Sequence, residues 1–128
     1  MVQLKSYGIC VAVEVFYQEE QSRPVLSEYL FAYRITIENQ SRAPIKLLKR
    51  KWNIIESSGI TRIVEGDGVV GEQPIIVPGN KYQYVSAANL KSDIGKMFGH
   101  YLVLDLLEKK ELKISIPEFK LIAPFKQN

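Results

Sequence analysis

The spacing most suggestive of chemistry is Gly66-Asp67-Gly68-Val69-Val70-Gly71, a literal G-x-G-x-x-G. In a dinucleotide site such glycines join a strand to a helix whose N-terminus holds the pyrophosphate. Here Glu72-Gln73-Pro74-Ile75-Ile76-Val77-Pro78-Gly79 follows, and its two prolines and branched residues do not build that helix. No βαβ unit surrounds the motif, so the first reading is a glycine-permitted turn or bulge between strands. A second reading stays open. Successive backbone N–H groups in a glycine loop can form an anion-binding nest without any helix. Gly66, Gly68 and Gly71 would then bind phosphate, pyrophosphate or a nucleotide, with Arg50, Arg62 or Lys81 assisting and Asp67 opposing the anion.

Catalysis has little to stand on. A Ser–His–Asp or Cys–His arrangement would have to use His100, the only histidine. Cys10, the only cysteine, sits in an alternating stretch where a small buried thiol is the expectation. Asp67, Glu72, Asp93 and Asp105 show no pairing by spacing. A transition-metal site wants several His or Cys ligands, and no calcium-loop pattern is present. The expectation is a non-enzymatic protein with no catalytic residues, no metal ligands and no cofactor.

These residues need a scaffold, and the chain supplies strands. At 128 residues it fits one domain spanning 1–128. Seven Tyr and five Phe, with many Val and Ile, favour pleated surfaces. From Tyr7 to Tyr17 the odd positions read Tyr, Ile, Val, Val, Val, Tyr, and Tyr29, Phe31, Tyr33, Ile35 and Ile37 repeat that period of two. A third strand is expected over Ile45 to Glu56, with Leu48, Trp52 and Ile54 on one face and Trp52 as a core anchor. Ser57-Ser58-Gly59 reads as a hairpin turn with Thr61 to Glu65 returning. Short strands at Gln73 to Val77 and Lys81 to Ala87, then Met97 to Leu107, Glu111 to Ile116 and Phe119 to Ala123, complete the set. Only Asn89 to Lys96 has room for a helical turn, too short to stand alone. About eight short strands without helices argue for a two-sheet sandwich or a barrel.

The charge excludes more than it identifies. The net charge is +3, and the densest basic group is Lys46, Lys49, Arg50 and Lys51. A solvated strand edge accounts for that cluster, and the absence of a basic stripe with a reading motif argues against a nucleic-acid partner. A lone cysteine suits a reducing compartment. Met1 to Gly8 has no charged start followed by an apolar core, and Met97 to Leu107 is far short of the ~20 residues that span a bilayer. A cytoplasmic location with no membrane insertion is the expectation.

Several stretches also resemble the bacterial ApaG proteins. They include Tyr29-Leu30-Phe31-Ala32-Tyr33-Arg34-Ile35-Thr36-Ile37-Glu38-Asn39, Leu47 to Trp52, Val64 to Pro74 and Pro78 to Tyr84. Gly95 to Tyr101 and Ile116 to Leu121 match as well, so the resemblance runs in order through essentially the whole chain. One departure is Glu108-Lys109-Lys110-Glu111, where relatives often place a glycine turn. The resemblance implies a fibronectin type III-like, immunoglobulin-like β-sandwich of two antiparallel sheets. It implies a protein-interaction module with a link to cobalt resistance and magnesium efflux, and no defined activity.

The functional expectation is therefore a non-enzymatic module for protein–protein interaction, serving divalent-cation (Co/Mg) homeostasis. Its partner is unidentified, and the exposed sheet edges would permit strand addition or a homodimer. The alternative is small-anion, pyrophosphate or nucleotide binding at the Gly66 to Gly71 loop.

Overall fold

The computed structural model describes residues 1–124. Nine strands build it in chain order: β1 (Val2–Ser6), β2 (Ile9–Tyr17), β3 (Tyr29–Asn39), β4 (Ile45–Glu56), β5 (Thr61–Asp67), β6 (Ile75–Ile76), β7 (Lys81–Leu90), β8 (Ile94–Asp105) and β9 (Lys110–Ile122). A 3-10 turn, Pro24–Leu26, precedes β3. One sheet runs β1-β2-β3-β7 and the other β5-β4-β8-β9, with β6 paired to the free end of β4. All pairings are antiparallel. Of the sandwich and the barrel that the alternation left open, the two-sheet sandwich is the observed fold, as the family resemblance implies.

The period of two explains which faces meet. Ile9, Val11 and Val13 on β2, and Phe31, Tyr33, Ile35 and Ile37 on β3, are buried between the sheets. Across from them lie Trp52, Ile54, Met97, Tyr101, Ile114 and Phe119. Tyr33, Trp52 and Phe119 stack mutually, with ring centroids 5.6–5.7 Å apart, and tie the sheets together. β9 packs against β1 and β2, which closes one flank of the sandwich.

Four expectations are corrected by the structure. Residues 89–96 make no helical turn: β7 runs on to Leu90, whose side chain is fully buried, and a short bend leads into β8. The odd-position run starts at Ile9, because Tyr7 is an exposed turn residue with φ 51° between β1 and β2. The closing strands after residue 111 are one strand, β9, which accommodates Pro117 at an irregularity opposite Met97/Gly99. Cys10 is half-buried, since its neighbours Ile9 and Val11 take the inward face.

A fifth correction shapes the site. Leu48 does not share a face with Trp52 and Ile54; Ile45 and Leu47 are the buried residues in the first half of β4. A β-bulge between Leu47 and Lys49 inserts one residue relative to β8 and reverses the parity. Beyond it, Arg50 points inward with Trp52 and Ile54.

Candidate functional site

An inward arginine in a sandwich needs room and hydrogen-bond acceptors. The glycine motif provides both. Arg50 is the register partner of Gly66 on β5, and a Cβ at that glycine would lie 2.7–2.9 Å from the guanidinium atoms. The missing side chain is therefore the space in which the guanidinium lies. Its Nη1 donates to the carbonyls of Asp67 (3.1 Å) and Gly68 (3.0 Å).

The rest of the motif secures the bulge. The Gly68 amide donates to the Leu48 carbonyl at 2.7 Å, and Gln73 Nε2 donates to the same oxygen at 2.9 Å. Residues 69–72 form a tight turn in which the Val69 and Glu72 amides each donate to the other's carbonyl, at 2.8 and 2.9 Å. Val70 (φ 47°) and Gly71 (φ 77°) both occupy the left-handed region, the signature of a type I′ turn. A Cβ on Gly68 would meet the Glu72 carbonyl oxygen at 1.9 Å. The amides of Gly68, Val69 and Glu72 are thus committed within the protein, and the group nearest to Gly66 is a cation.

Opposite β9's closed flank, the edge strands β5 and β7 face each other across the opening of the sandwich. Arg62 Nη2 donates to the Asn89 carbonyl at 2.8 Å and bridges them. Beside that bridge lies a cavity of about 300 Å³. Arg50 and Arg62 line it together with Trp52, Tyr84 and Ser86, while Val64, Val70 and Val85 also border it. The cavity exists because β7 presents Ser86 and Ala88 where larger inward residues would fill the gap toward Trp52. No carboxylate lines it.

Tyrosine hydroxyls complete the polar surface. Tyr84 on β7 and Tyr101 on β8 share a hydrogen bond across the two sheets. Burial pushes both phenols above the usual tyrosine range, against the attraction of nearby Arg50. Tyr33 is raised too, chiefly by burial, with Ser86 and Arg50 opposing. These groups are neutral hydroxyls at physiological pH, suited to donating or accepting hydrogen bonds.

The other sequence candidates lie elsewhere. Lys81 opens β7 opposite Glu38 and is not among the cavity residues. Gly71 sits at the exposed turn tip. His100 is on the outer face of the second sheet, in a hollow with Lys49, Lys51 and Lys113. Its pKa is lowered by partial burial and by Lys113 and Lys51, with Glu65 opposing. Cys10 lies in the other sheet, paired with Glu38 and Lys5, so it forms no dyad with His100. Among the described residues no group of three or more His, Cys, Asp or Glu is placed to hold a metal ion. No helix among them is long and apolar enough to cross a membrane.

Tyr84, Ser86 and Trp52 were not read as site residues from the sequence, and Arg62 only as a helper of the loop. The available signal was parity: Arg62, Val64 and Gly66 share one face of β5, and Ser86-Ala87-Ala88 is a run of small residues in an otherwise bulky strand.

Known proteins share this architecture. The ApaG domain profile matches residues 19–105. The chain is 45% identical over 116 residues to Protein ApaG of Pectobacterium carotovorum, covering 91% of this chain and 92% of that protein. It is 43% identical over 121 residues to Protein ApaG of Escherichia coli, covering 94% and 96%. A crystal structure described as the putative ApaA protein from Bordetella pertussis superposes with a TM-score of 0.88 at 35% identity, covering 94% of this chain and 98% of that one. With the sandwich, the glycine motif and these matches together, the chain belongs to the ApaG family.

Proposed function

We propose that this chain is a non-enzymatic binding module that captures an extended segment of a partner protein on the open flank between β5 and β7. The observation that carries the reading is the pair of free edges: among the described residues β7 pairs only with β3 and β5 only with β4, and both border one cavity. Unpaired strand edges template the addition of a further strand, with alternate side chains of the added segment entering pockets. Val64, Val70 and Val85 supply exposed apolar contacts along that flank. β7 runs for ten residues without a proline and with a lysine only at its start, so few devices blunt its edge.

The arrangement of the titratable side chains supports a non-enzymatic role. His100 and Cys10 stand on different sheets, and the buried phenols are held protonated. A contribution to divalent-cation handling would then act through the partner rather than through a metal bound to this chain. A homodimer through the same edges is the self-recognition form of this reading. The small-anion alternative acquires a donor in Arg50, whose guanidinium lies against Gly66.

Selection of random extended peptides on the full chain tests the reading, with Val85→Asn and Val70→Asn as comparison proteins. Both side chains are more than half exposed, at 58% and 62%, so the substitutions leave the core intact. Enriched peptides should lose about tenfold in affinity to either variant, the effect of removing one apolar contact at an interface. Absence of any enriched sequence, or binding indifferent to both substitutions, would overturn the proposal.

A further inference from the structure

The geometry points to an acidic side chain as the group that enters the cavity: the flank recognises a protein segment carrying a glutamate or aspartate, held by Arg50 and Arg62. This deepens the binding reading above and rests on it. Charge complementarity is the first support. Two guanidinium groups, from β4 and β5, line one cavity of about 300 Å³ that has no carboxylate in its wall. Most arginines on a protein surface have solvent around them; Arg50 is turned toward the sandwich interior by the bulge at Leu48 and held there by two backbone carbonyls. Nη1 makes both of those bonds, which leaves Nε and Nη2 as donors on a side chain that lines the cavity, where a carboxylate can accept from them.

The neutral hydroxyls favour the same guest. Ser86 and Tyr84 border the cavity and can donate to a carboxylate oxygen. Trp52 and Val64 provide an apolar wall against which the methylene groups of a glutamate would pack.

A protein segment accounts for more of this surface than a free oxyanion does. A phosphate or pyrophosphate would engage the arginines but leave the β7 edge and the apolar rim of Val64, Val70 and Val85 unused. An extended chain lying along β7 would use all three, because alternate side chains of an added strand point into the opening. Arg62, bonded to the Asn89 carbonyl, sits at one end of that path and Arg50 lies deeper within it.

The test is an array of capped eight-residue peptides of alternating Val and Thr with one variable central position: Glu, Asp, Gln, Asn or Lys. Binding to the full chain is measured beside Arg50→Gln, Arg62→Gln and sodium pyrophosphate. The acidic peptides should bind at least tenfold tighter than the amide peptides, and that preference should fall about tenfold in either variant, as expected for loss of a charge-assisted hydrogen bond. Arg62→Gln keeps the measurement decisive should Arg50→Gln unfold the turn, since the Arg62 bond to Asn89 is exposed. Equal binding of the acidic and amide peptides would overturn the acidic guest and leave the binding flank standing. No binding by any peptide, with none enriched by selection, would overturn both. Pyrophosphate bound at Arg50 with no peptide bound would overturn the protein segment in favour of a free anion.

Discussion

Replacing Gly68 and Gly71 by alanine should produce very different losses of stability, although both stand in one motif and both have positive φ. At Gly71 (φ 77°) nothing lies within 4 Å of an added Cβ. The left-handed conformation alone costs about 1–2 kcal/mol for a residue with a side chain. Up to about 1 kcal/mol of that is offset because alanine narrows the unfolded ensemble. The net loss is below about 1.5 kcal/mol. At Gly68 (φ 58°) the same left-handed cost applies, but the new Cβ would lie 1.9 Å from the Glu72 carbonyl oxygen, which no rotamer relieves. The turn must open. That weakens the two Val69–Glu72 hydrogen bonds and the Gly68–Leu48 bond, each about 1 kcal/mol, and loosens Val69, which is fully buried. Burial of such a valine is worth about 1.5–3 kcal/mol, so a total near 4 kcal/mol is expected after partial relaxation. With a urea slope near about 1.5 kcal/mol/M for a domain of this size, the midpoint should fall by about 2–3 M for Gly68→Ala and by less than about 1 M for Gly71→Ala. Equal midpoints for the two variants would refute the assignment of separate roles to the glycines.

Gly66→Ala should cost little in stability, below about 1.5 kcal/mol, because the atoms it meets are the flexible end of Arg50; its effect should appear in NMR as a displaced Arg50 side chain and in weakened peptide capture. Tyr101→Phe strips the Tyr84 hydroxyl of its buried partner and should cost about 1–3 kcal/mol in urea unfolding. In the wild type the raised phenols of Tyr84 and Tyr101 stay protonated where an unfolded chain would ionise, so stability should be lost as pH rises above 10. His100 should titrate below 6.5 by NMR, and Lys113→Gln should move it upward; because the unfolded chain binds that proton first, the fold is disfavoured as pH drops from 6.5. Asn39→Ala should cost about 2–4 kcal/mol in thermal or urea unfolding, since the buried amide donates to the Ala43 and Ile76 carbonyls, both at 2.8 Å, and its oxygen accepts from Ser41.

The core of the fold was legible because its strands obey a strict period of two. Ile9, Val11, Val13 and the Phe31 to Ile37 series are buried as their alternation indicates. β1 was not legible, since its residues are largely exposed on both faces and leave no contrast to read. The bulge at Leu48 was invisible for a different reason. It adds one residue with no compositional mark, and the parity error it causes falls on Leu48, two residues before the arginine of the site. Arg50 and the glycines were singled out from the sequence, but in the reverse geometric relation. The motif indicates first a turn between strands, which residues 69–72 form, and second a cradle of amides assisted by an arginine; in the structure Gly66 instead makes room for the arginine. The cavity itself depends on how far β5 stands from β7, a distance between two sheets that no local pattern encodes.

A sequence of causes links the motif to the open flank. The bulge turns Arg50 inward, and a guanidinium facing a sandwich interior is tolerated only with acceptors and residual solvent. Gly66 admits it, and the carbonyls of Asp67 and Gly68 accept from one of its nitrogens. Filling the space beyond it would desolvate the remaining donors, so the small residues Ser86 and Ala88 are as necessary to this arginine as the glycine is. Simple closure of the sandwich would bury more apolar surface and be the more stable arrangement. A closed sandwich could have dispensed with the bulge, the positive-φ valine at position 70 and the inward charge together. All three departures from an ideal sheet converge on a single cavity, and local departures of this kind gather where a protein has a surface to present.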